Sequence, residues 1–333
     1  MVFKPRFLTF FVTNQCNAMC SHCFNWKTPI ANELSLDEIK KIDFNIFDAV
    51  SITGGEPTLR VDLAEICKHV VKNKIYLNTN GLMSHRIQEV IEKVGSDLVN
   101  VTVSLDGSKD LHDNIRGVAC FDTAVKTIKL CKDAGVNVTI LTTVSRFNMT
   151  NISVFIQHLK ELGLFTRRGD VVFNIARGLD HVFNLDTSLS FHHNPRADNL
   201  VLSLAELQTV YSQIKPYMTN QNSVVWEYSI KMLCQHKKIV TCYAGNLDMV
   251  LHANGDVAAC EYSKPFANLY DYTFDVLALW NSKNAENTRS KLCNCYCIHP
   301  CNLNTAIPRT FQGALKLTSD ITRNKISQLK NRF

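Results

Sequence analysis

The stretch CNAMCSHC, residues 16–23, places three cysteines within eight residues, directly after an apolar run at 7–13. A structural zinc ion or a self-contained iron–sulfur cube takes four protein ligands, and no fourth cysteine follows in this loop. Three thiolates can hold three irons of a [4Fe–4S] cube and leave the fourth iron open. We therefore predict a cluster on Cys16, Cys20 and Cys23 whose open iron coordinates a molecule that comes and goes.

The residues around this loop alternate between strand and helix patterns. Apolar runs predict six buried strands, at 7–13, 48–53, 74–79, 97–105, 136–145 and 170–176. Helical patterns lie between them, at 35–42, 62–72, 84–94, 121–134 and 150–162. Such alternation is typical of right-handed βαβ units and a parallel sheet. The predicted fold class is α/β: a partial (β/α)6 TIM-like barrel followed by a small C-terminal cysteine-rich domain. The cysteine loop follows the first strand, at the face of such barrels where active sites collect.

The length, charge and cysteine content of the chain exclude several classes of protein. A chain of 333 residues has room for two domains, because one core stops growing at about 250–300 residues. The net charge of +6 is mild and does not indicate a nucleic-acid partner. No window approaches the length of a membrane span, and the run at 7–12 is too short for a signal-peptide core. Bunched cysteines suit metal thiolates in a reducing compartment. We expect a cytoplasmic, oxygen-sensitive protein with no nucleic-acid and no membrane partner.

The organisation predicted from these patterns has four parts. Residues 1–180 form the barrel, 181–235 a bridging region, 236–310 an auxiliary cysteine-rich domain, and 311–333 a basic C-terminal tail. Residues 178–200 are irregular and stand where a substrate lid would lie. They contain His192 and His193, which we expect to be exposed loop histidines rather than ligands.

Motifs at the ends of the predicted strands identify a family. The C-x3-C-x2-C spacing at 16–23 resembles the signature of the radical S-adenosylmethionine (radical SAM) superfamily. The second strand ends in Gly54-Gly55-Glu56-Pro57, which resembles the GGE motif of that family. The third strand ends in NTNG, residues 78–81, and the fourth in SLDG, residues 104–107, as in many members. Because each motif falls at the end of an independently predicted strand, a chance match is disfavoured. The resemblance covers residues 7–177.

The resemblance implies a [4Fe–4S] cluster with an open iron and S-adenosyl-L-methionine (SAM) as cofactors. The residues it assigns to SAM are Gly54, Gly55, Glu56, Thr79, Asn80, Ser104 and Asp106. Glycines at 54 and 55 let the backbone approach closely, and Glu56 accepts the methionine ammonium. Ser104 and Asp106, at alternate positions of one strand, are expected to face the same side and contact ribose or carboxylate. The alternatives are a surface carboxylate at 56 and a turn-forming Asp-Gly at 106–107. No catalytic acid or base stands out.

A second cysteine region lies near the C-terminus. Cys242, Gly255 and Cys260 resemble the opening element of the SPASM and twitch domains, which carry auxiliary [4Fe–4S] clusters. The Asn254-Gly255 pair predicts a hairpin that brings the two flanking thiolates together. Six cysteines cannot fully ligate two cubes, which need eight, so we predict one auxiliary cluster. Its ligands are predicted to be Cys242, Cys260, Cys297 and Cys301, with Cys295 a close substitute. A structural zinc ion on the same cysteines is the competing interpretation.

These predictions describe a radical SAM oxidoreductase. SAM is cleaved to a 5′-deoxyadenosyl radical, which abstracts a hydrogen from the substrate, and an electron passes to the auxiliary cluster. The predicted substrate is a ribosomally made peptide; the alternatives are a small molecule such as an aminosugar or cyclitol, which is oxidised or epimerised, and a non-catalytic iron–sulfur or zinc protein. The predicted partners are an electron donor such as ferredoxin or flavodoxin and a separate peptide-recognition protein.

Overall fold

The six predicted barrel strands are all present and parallel. The structure, a computed structural model, describes residues 4–23, 25–27, 32–71, 75–178, 181–186, 188 and 200–317. The strands are β1 (Phe7–Phe11), β2 (Ala49–Thr53), β3 (Ile75–Thr79), β4 (Val99–Ser104), β5 (Asn137–Val144) and β6 (Val171–Ile175). Each pairs with the next in chain order. All six carboxyl ends therefore meet at one edge of the sheet.

Helices connect these strands and bury one face each. They are α1 (Leu36–Ile39), α2 (Leu63–Val70), α3 (Ser84–Val94), α4 (Lys109–Arg116), α5 (Phe121–Asp133) and α6 (Ile152–Glu161). Cys67 and Cys131 are fully buried on α2 and α5 and belong to the core. The α4 helix was not predicted from the sequence, because its segment KDLHDNIR has only two apolar side chains and so shows no apolar stripe.

The barrel strands alternate between a tightly packed side and an open side. In β5 the burial of successive residues alternates along the strand, as the period of a strand requires. Small polar side chains occupy the open side: Thr9, Ser51, Thr53, Asn78, Ser104, Thr143 and Asn174 all line a cavity. The sheet thus has one apolar face for the helices and one polar face for a ligand.

The C-terminal half extends the same sheet. It contains β7 (Val182–Phe183), β8 (Asp248–Leu251), β9 (Asp256–Ala258), β10 (Ala267–Asn268) and β11 (Tyr296–Cys297). The predicted hairpin is β8–β9, turning at Gly255, and β8 pairs in parallel with β1. The sheet therefore has nine strands in the order β10-β9-β8-β1-β2-β3-β4-β5-β6, and β7 pairs separately with β11.

Five helices complete the described part of this half. They are α7 (Leu204–Ile214), α8 (Asn220–Gln235), α9 (Val276–Trp280), α10 (Lys283–Leu292) and α11 (Pro300–Ala306). Residues 276–292 form two helices rather than one, because Ser282 caps a new helix start. Trp226 and Trp280 are almost fully buried in the core that also contains the barrel strands. Barrel and C-terminal half therefore share one core.

Some predictions fall outside the described residues: His192, His193 and residues 318–333 of the basic tail. Within the described ranges, no helix combines the length and the apolar character that crossing a bilayer requires.

Candidate active site

The cysteine loop follows β1. Residues 13–15, which lead into this loop, lie against the loop that follows β2. The Gly55 amide donates to the Thr13 carbonyl at 2.8 Å. A Cβ atom at Gly55 would lie 2.1 Å from the Gln15 carbonyl oxygen, and one at Gly54 would lie 2.2 Å from that of Thr13. The close approach predicted for the two glycines is thus an approach of one backbone segment to another, which positions the cysteine loop.

The far side of the cysteine loop is held by the C-terminal end of α4. The Met19 amide donates to the Arg116 carbonyl and the Ser21 amide to the Ile115 carbonyl, both at 2.9 Å. Gly117 ends the helix with φ +67°, and a Cβ atom there would lie 2.9 Å from the Met19 carbonyl oxygen. Backbone hydrogen bonds on both sides therefore hold the loop.

A cavity of about 360 Å³ opens at the carboxyl ends of the strands. Volumes of about 300–1,000 Å³ are usual for small-molecule sites. Three cysteines and six of the seven residues predicted for SAM line it: Cys16, Cys20, Cys23, Gly54, Gly55, Glu56, Thr79, Asn80 and Ser104. Burial raises the pKa of Cys16 to about 12, so the metal-free thiol is protonated. Metal binding here would release protons.

Glu56 is 1% exposed and accepts four hydrogen bonds. Its Oε1 accepts from the Thr58 amide at 3.1 Å, the Thr58 hydroxyl at 2.6 Å and the Thr79 hydroxyl at 2.7 Å. Its Oε2 accepts from the Asn80 amide at 2.7 Å. Burial raises the pKa of Glu56, and these donors act against that rise. A carboxylate has about four lone-pair sites, so Oε2 retains one for a donor in the cavity.

Asp106 occupies a different place from the one predicted. It is completely buried and is not among the residues that line the cavity, because β4 ends at Ser104 and the alternation of the strand ends with it. Its Oδ2 accepts from Arg116 at 2.6 and 2.8 Å. Burial raises the pKa of Asp106, but the Arg116 charge outweighs this and lowers it. Ser104 therefore lines the cavity and Asp106 does not, so the position of Asp106 gives no support to its predicted contact with ribose or carboxylate.

Arg116 was not singled out as a site residue, although it stands in the segment that carries the family resemblance. Its guanidinium is held by Asp106 and lies 3.6 Å from the Cys20 sulfur. A positive charge at that distance stabilises thiolates. Asp106 thus positions Arg116, and Arg116 provides the positive charge beside the cysteine loop.

Part of the cavity wall comes from residues that the sequence did not single out. Arg177 follows β6, and its Nη2 lies 3.5 Å from Glu261 Oε2. The Arg177 guanidinium carbon also lies 5.7 Å from the centroid of the Tyr262 ring. Glu261 and Tyr262 directly follow Cys260, and Cys301 lines the same cavity. Residues from both cysteine regions therefore meet at one cavity.

Glu261, His299 and Cys301 place three possible metal-ligand atoms within 4.8 Å of one another. His299 caps α11, however, and its Nδ1 accepts from the Cys301 amide at 3.2 Å. The ring proton is then on Nε2, which faces Glu261 Oε2 at 3.3 Å as a donor. Burial raises the pKa of Glu261, but His299 and Arg177 bring it below its usual value. The trio is a hydrogen-bonded cluster around an ionised carboxylate.

Comparison with known proteins identifies the barrel. Residues 10–159 match the radical SAM superfamily. This chain carries a radical SAM domain. The matched range runs from β1 to α6 and contains the cysteine loop, the glycine pair and the ends of β3 and β4. The resemblance predicted from the sequence is confirmed, and with it a domain type that binds a [4Fe–4S] cluster and SAM.

Two curated relatives share more than the radical SAM domain. The antilisterial bacteriocin subtilosin biosynthesis protein AlbA of Bacillus subtilis is 28% identical over 293 residues, which are 84% of this chain and 60% of AlbA. The sporulation killing factor maturation protein SkfB of the same species is 24% identical over 272 residues, 78% of this chain and 61% of SkfB. The chain thus spans less than two thirds of the length of either relative.

A solved structure supports the fold. Streptococcus suis SuiB bound to S-adenosylmethionine has a TM-score of 0.63 at 16% identity, covering 86% of this chain and 68% of SuiB. SuiB has also been solved bound to the precursor peptide SuiA, with a TM-score of 0.61 to this chain. The similarity confirms the predicted α/β partial barrel, and it extends well beyond the radical SAM domain.

The hairpin that follows the radical SAM domain gathers the second cysteine group. Cys242 precedes β8 and Cys260 follows β9, so the β8–β9 hairpin returns the chain to its start. Burial, and then the neighbouring Cys297, raises the pKa of Cys242 to about 12 and that of Cys260 to about 11. The three thiols are therefore close enough to interact electrostatically.

The remaining cysteines of this region differ in their surroundings. Cys260 and Cys301 line one small cavity, and Cys242 and Cys297 line the next. Cys295 instead belongs to a small apolar cluster with Ala259 and Leu292, and Cys293 is exposed.

Proposed function

We propose that this chain is a radical SAM oxidoreductase that oxidises a ribosomally made peptide. The observation that carries the proposal is the shared cavity: the three-cysteine loop, Glu56 and Cys301 of the second cysteine group all line it. Two thiolate groups at one ligand-sized cavity would place an electron acceptor beside the reacting substrate, as net oxidation requires.

The loop residues fit a cluster with one open iron. Cys16, Cys20 and Cys23 line the cavity, and no other cysteine lies in the loop. These three cysteines would hold a [4Fe–4S] cluster, which would supply the electron that splits SAM into methionine and a 5′-deoxyadenosyl radical. Arg116 contributes a positive charge beside Cys20. The backbone hydrogen bonds from 55–56 and 115–116 would keep the three thiolates in place.

The chain also offers the contacts that SAM needs. Glu56 Oε2 can accept a hydrogen bond from the ammonium group of SAM. Thr79 and Asn80 donate to the Glu56 carboxylate and so hold it in position. Ser104 lines the cavity at the end of β4 and supplies a hydroxyl for ribose or carboxylate. Asp106 acts through Arg116 rather than by contact.

The second cysteine group supports net oxidation. We assign the auxiliary cluster to Cys242, Cys260, Cys297 and Cys301. These cysteines line two small cavities that are neighbours, because Asn302 lines both. Cys295 packs in an apolar cluster instead. Cys301 also lines the cavity of about 360 Å³ at the carboxyl ends of the strands, which we call the SAM cavity. An electron acceptor would therefore lie beside the substrate.

The peptide substrate is supported by the relatives. AlbA is named for the biosynthesis of a bacteriocin, SkfB for the maturation of a killing factor, and SuiB has been solved with a precursor peptide. An electron donor such as ferredoxin or flavodoxin and a separate peptide-recognition protein complete the proposal, with the cytoplasm as the compartment.

Deuterated peptides test the proposal. Reduced, cluster-loaded protein is incubated with SAM and with fully deuterated precursor peptides encoded in the same genome. Deuterium is expected in 5′-deoxyadenosine, with one SAM consumed per modification and a peptide product two hydrogens lighter. Deuterium that returns to SAM, or a product of unchanged mass, would refute net oxidation.

A further inference from the structure

An open groove of about 660 Å³ lies on the surface beside the β7–β11 pair. Lys237, Lys238 and Lys291 line it, together with His236, Asp186 and Tyr296. The lysines come from two elements, the segment after α8 and the end of α10, and converge on one space. The groove is separate from the cavity that holds the cysteine loop.

The groove is positively charged. Asp186 is the one acidic residue among the described residues that line it, and it already accepts hydrogen bonds from the Ser188 amide at 2.8 Å and hydroxyl at 2.6 Å. Lys238 donates to the Cys293 carbonyl at 2.5 Å and Lys291 to the Ser188 hydroxyl at 3.2 Å. Counted over the described residues, none of the three lysines forms an ion pair, so three positive charges border the groove without a carboxylate partner.

The second cysteine group lies between this groove and the SAM cavity. On the groove side, Tyr296 lines both the groove and the small cavity that Cys242 and Cys297 line. On the other side, Cys301 lines the SAM cavity. Tyr296 is therefore the wall shared by this charged surface and the group to which the oxidation reaction is proposed to deliver an electron.

We propose that this groove docks an acidic one-electron carrier protein of the flavodoxin type, which accepts that electron. The inference rests on the proposed function, and it adds the surface at which the electron leaves the protein. For each substrate, one hydrogen atom goes to the 5′-deoxyadenosyl radical and one proton to solvent. One electron goes to the oxidised carrier, which becomes reduced by one electron.

The physics of such encounters matches the groove. Electron-transfer complexes are small and transient, and opposite charges steer them and set their salt dependence. An acidic peptide would satisfy the lysines as well, but it would have no reason to dock over cysteines. The position of the groove therefore favours the carrier.

The test measures binding of oxidised flavodoxin to cluster-loaded full-length protein by calorimetry, at low and high salt. The K237E/K238E/K291E variant should bind at least about tenfold more weakly at low salt, and the difference should shrink as salt rises. The control is K68E/K126E/K129E, which makes the same change of charge on exposed lysines of α2 and α5. It should change affinity less than about twofold. Zero-length carbodiimide cross-linking should join flavodoxin carboxylates to Lys237, Lys238 or Lys291.

Several results would overturn the proposal. They are equal weakening in both variants, cross-links confined to the barrel helices, or displacement of flavodoxin by a glutamate-rich peptide of equal affinity. Dithionite-driven 5′-deoxyadenosine formation serves as the separate check on the proposed function. It should be unchanged in the groove variant, and its absence in the wild type would sink the proposed function whatever the binding data show.

Discussion

Replacing Gly55 by alanine should separate the two backbone segments that position the cysteine loop. The added Cβ would lie 2.1 Å from the Gln15 carbonyl oxygen and 2.6 Å from that of Asn14, whereas real Cβ contacts do not fall below 3.0 Å. The segments must therefore move apart by about 1 Å in a close-packed site. Both obstacles are backbone atoms, so no side-chain rotation can relieve the contact.

This movement should affect catalysis more than stability. Gln15 precedes Cys16, and Gly55 precedes Glu56, so the displacement pulls a cluster ligand away from the group proposed to hold the ammonium. Misplacement by about 1 Å can cost about 100-fold in rate. Overpacking of this kind destabilises by about 1–3 kcal/mol. We expect Gly55→Ala to fold and to form 5′-deoxyadenosine about 100-fold more slowly than wild type.

Anaerobic urea unfolding and the rate of 5′-deoxyadenosine formation measure the two effects. The matched control is Gly163→Ala, where φ is +69° and nothing lies within 4 Å of the added atom. That change strains the backbone without a contact and should cost about 1 kcal/mol of stability with no loss of rate. If Gly55→Ala reacts within twofold of wild type, the positioning argument is refuted.

Three further outcomes follow from other contacts. Asp106→Asn leaves the buried Arg116 charge without its anion and should lower the free energy of unfolding in urea by about 3–5 kcal/mol. The control Asp37→Asn, from an exposed ion pair, should lower it by under about 1 kcal/mol. Equal losses would contradict the argument that the Asp106–Arg116 pair is buried. Burial raises the pKa of Asp170, but the donors of Thr166 and Arg167 lower it on balance, so its stabilisation is full above the unfolded pKa of about 4 and is lost as pH falls through the lower folded pKa. Asp170→Asn should therefore destabilise by about 1–3 kcal/mol at neutral pH and by progressively less in acid; a loss independent of pH would contradict this. Cys301→Ala should lower the bound iron from about eight to about four atoms per chain, whereas Cys295→Ala should leave it unchanged. The reverse result would mean that Cys295, and not Cys301, is the cluster ligand.

The parts of the site that the sequence predicted are those fixed by short, local patterns. Apolar runs placed all six barrel strands, and the rule that parallel strands end at one edge placed the cysteine loop beside Glu56 and Ser104. The glycine pair was predicted to let the backbone approach SAM, which stays a prediction; in the structure it lets the loop after β2 approach another backbone segment. Its partner, the 13–15 segment, could not be predicted, because it depends on where β1 and β2 end relative to each other.

The parts that were missed depend on polar side chains and long-range packing. The α4 helix shows no apolar stripe, so its buried His112 and Arg116 gave no periodic signal. Asp106 was placed on a strand that ends two residues earlier. Arg177 and Glu261 lie 84 positions apart in the chain and meet only because β8 pairs with β1 and brings the second cysteine group to the barrel.

The most direct test of the account is 5′-deoxyadenosine formation from SAM by anaerobically reconstituted, chemically reduced protein. The wild type is compared with the triple variant Cys16→Ala, Cys20→Ala, Cys23→Ala, and with the control Cys234→Ala, Cys293→Ala, which changes two exposed cysteines. The account predicts the nucleoside from the wild type and the control and none from the triple variant. Well-loaded wild-type protein that forms no nucleoside with or without precursor peptide, or a triple variant that still forms it, would contradict the account.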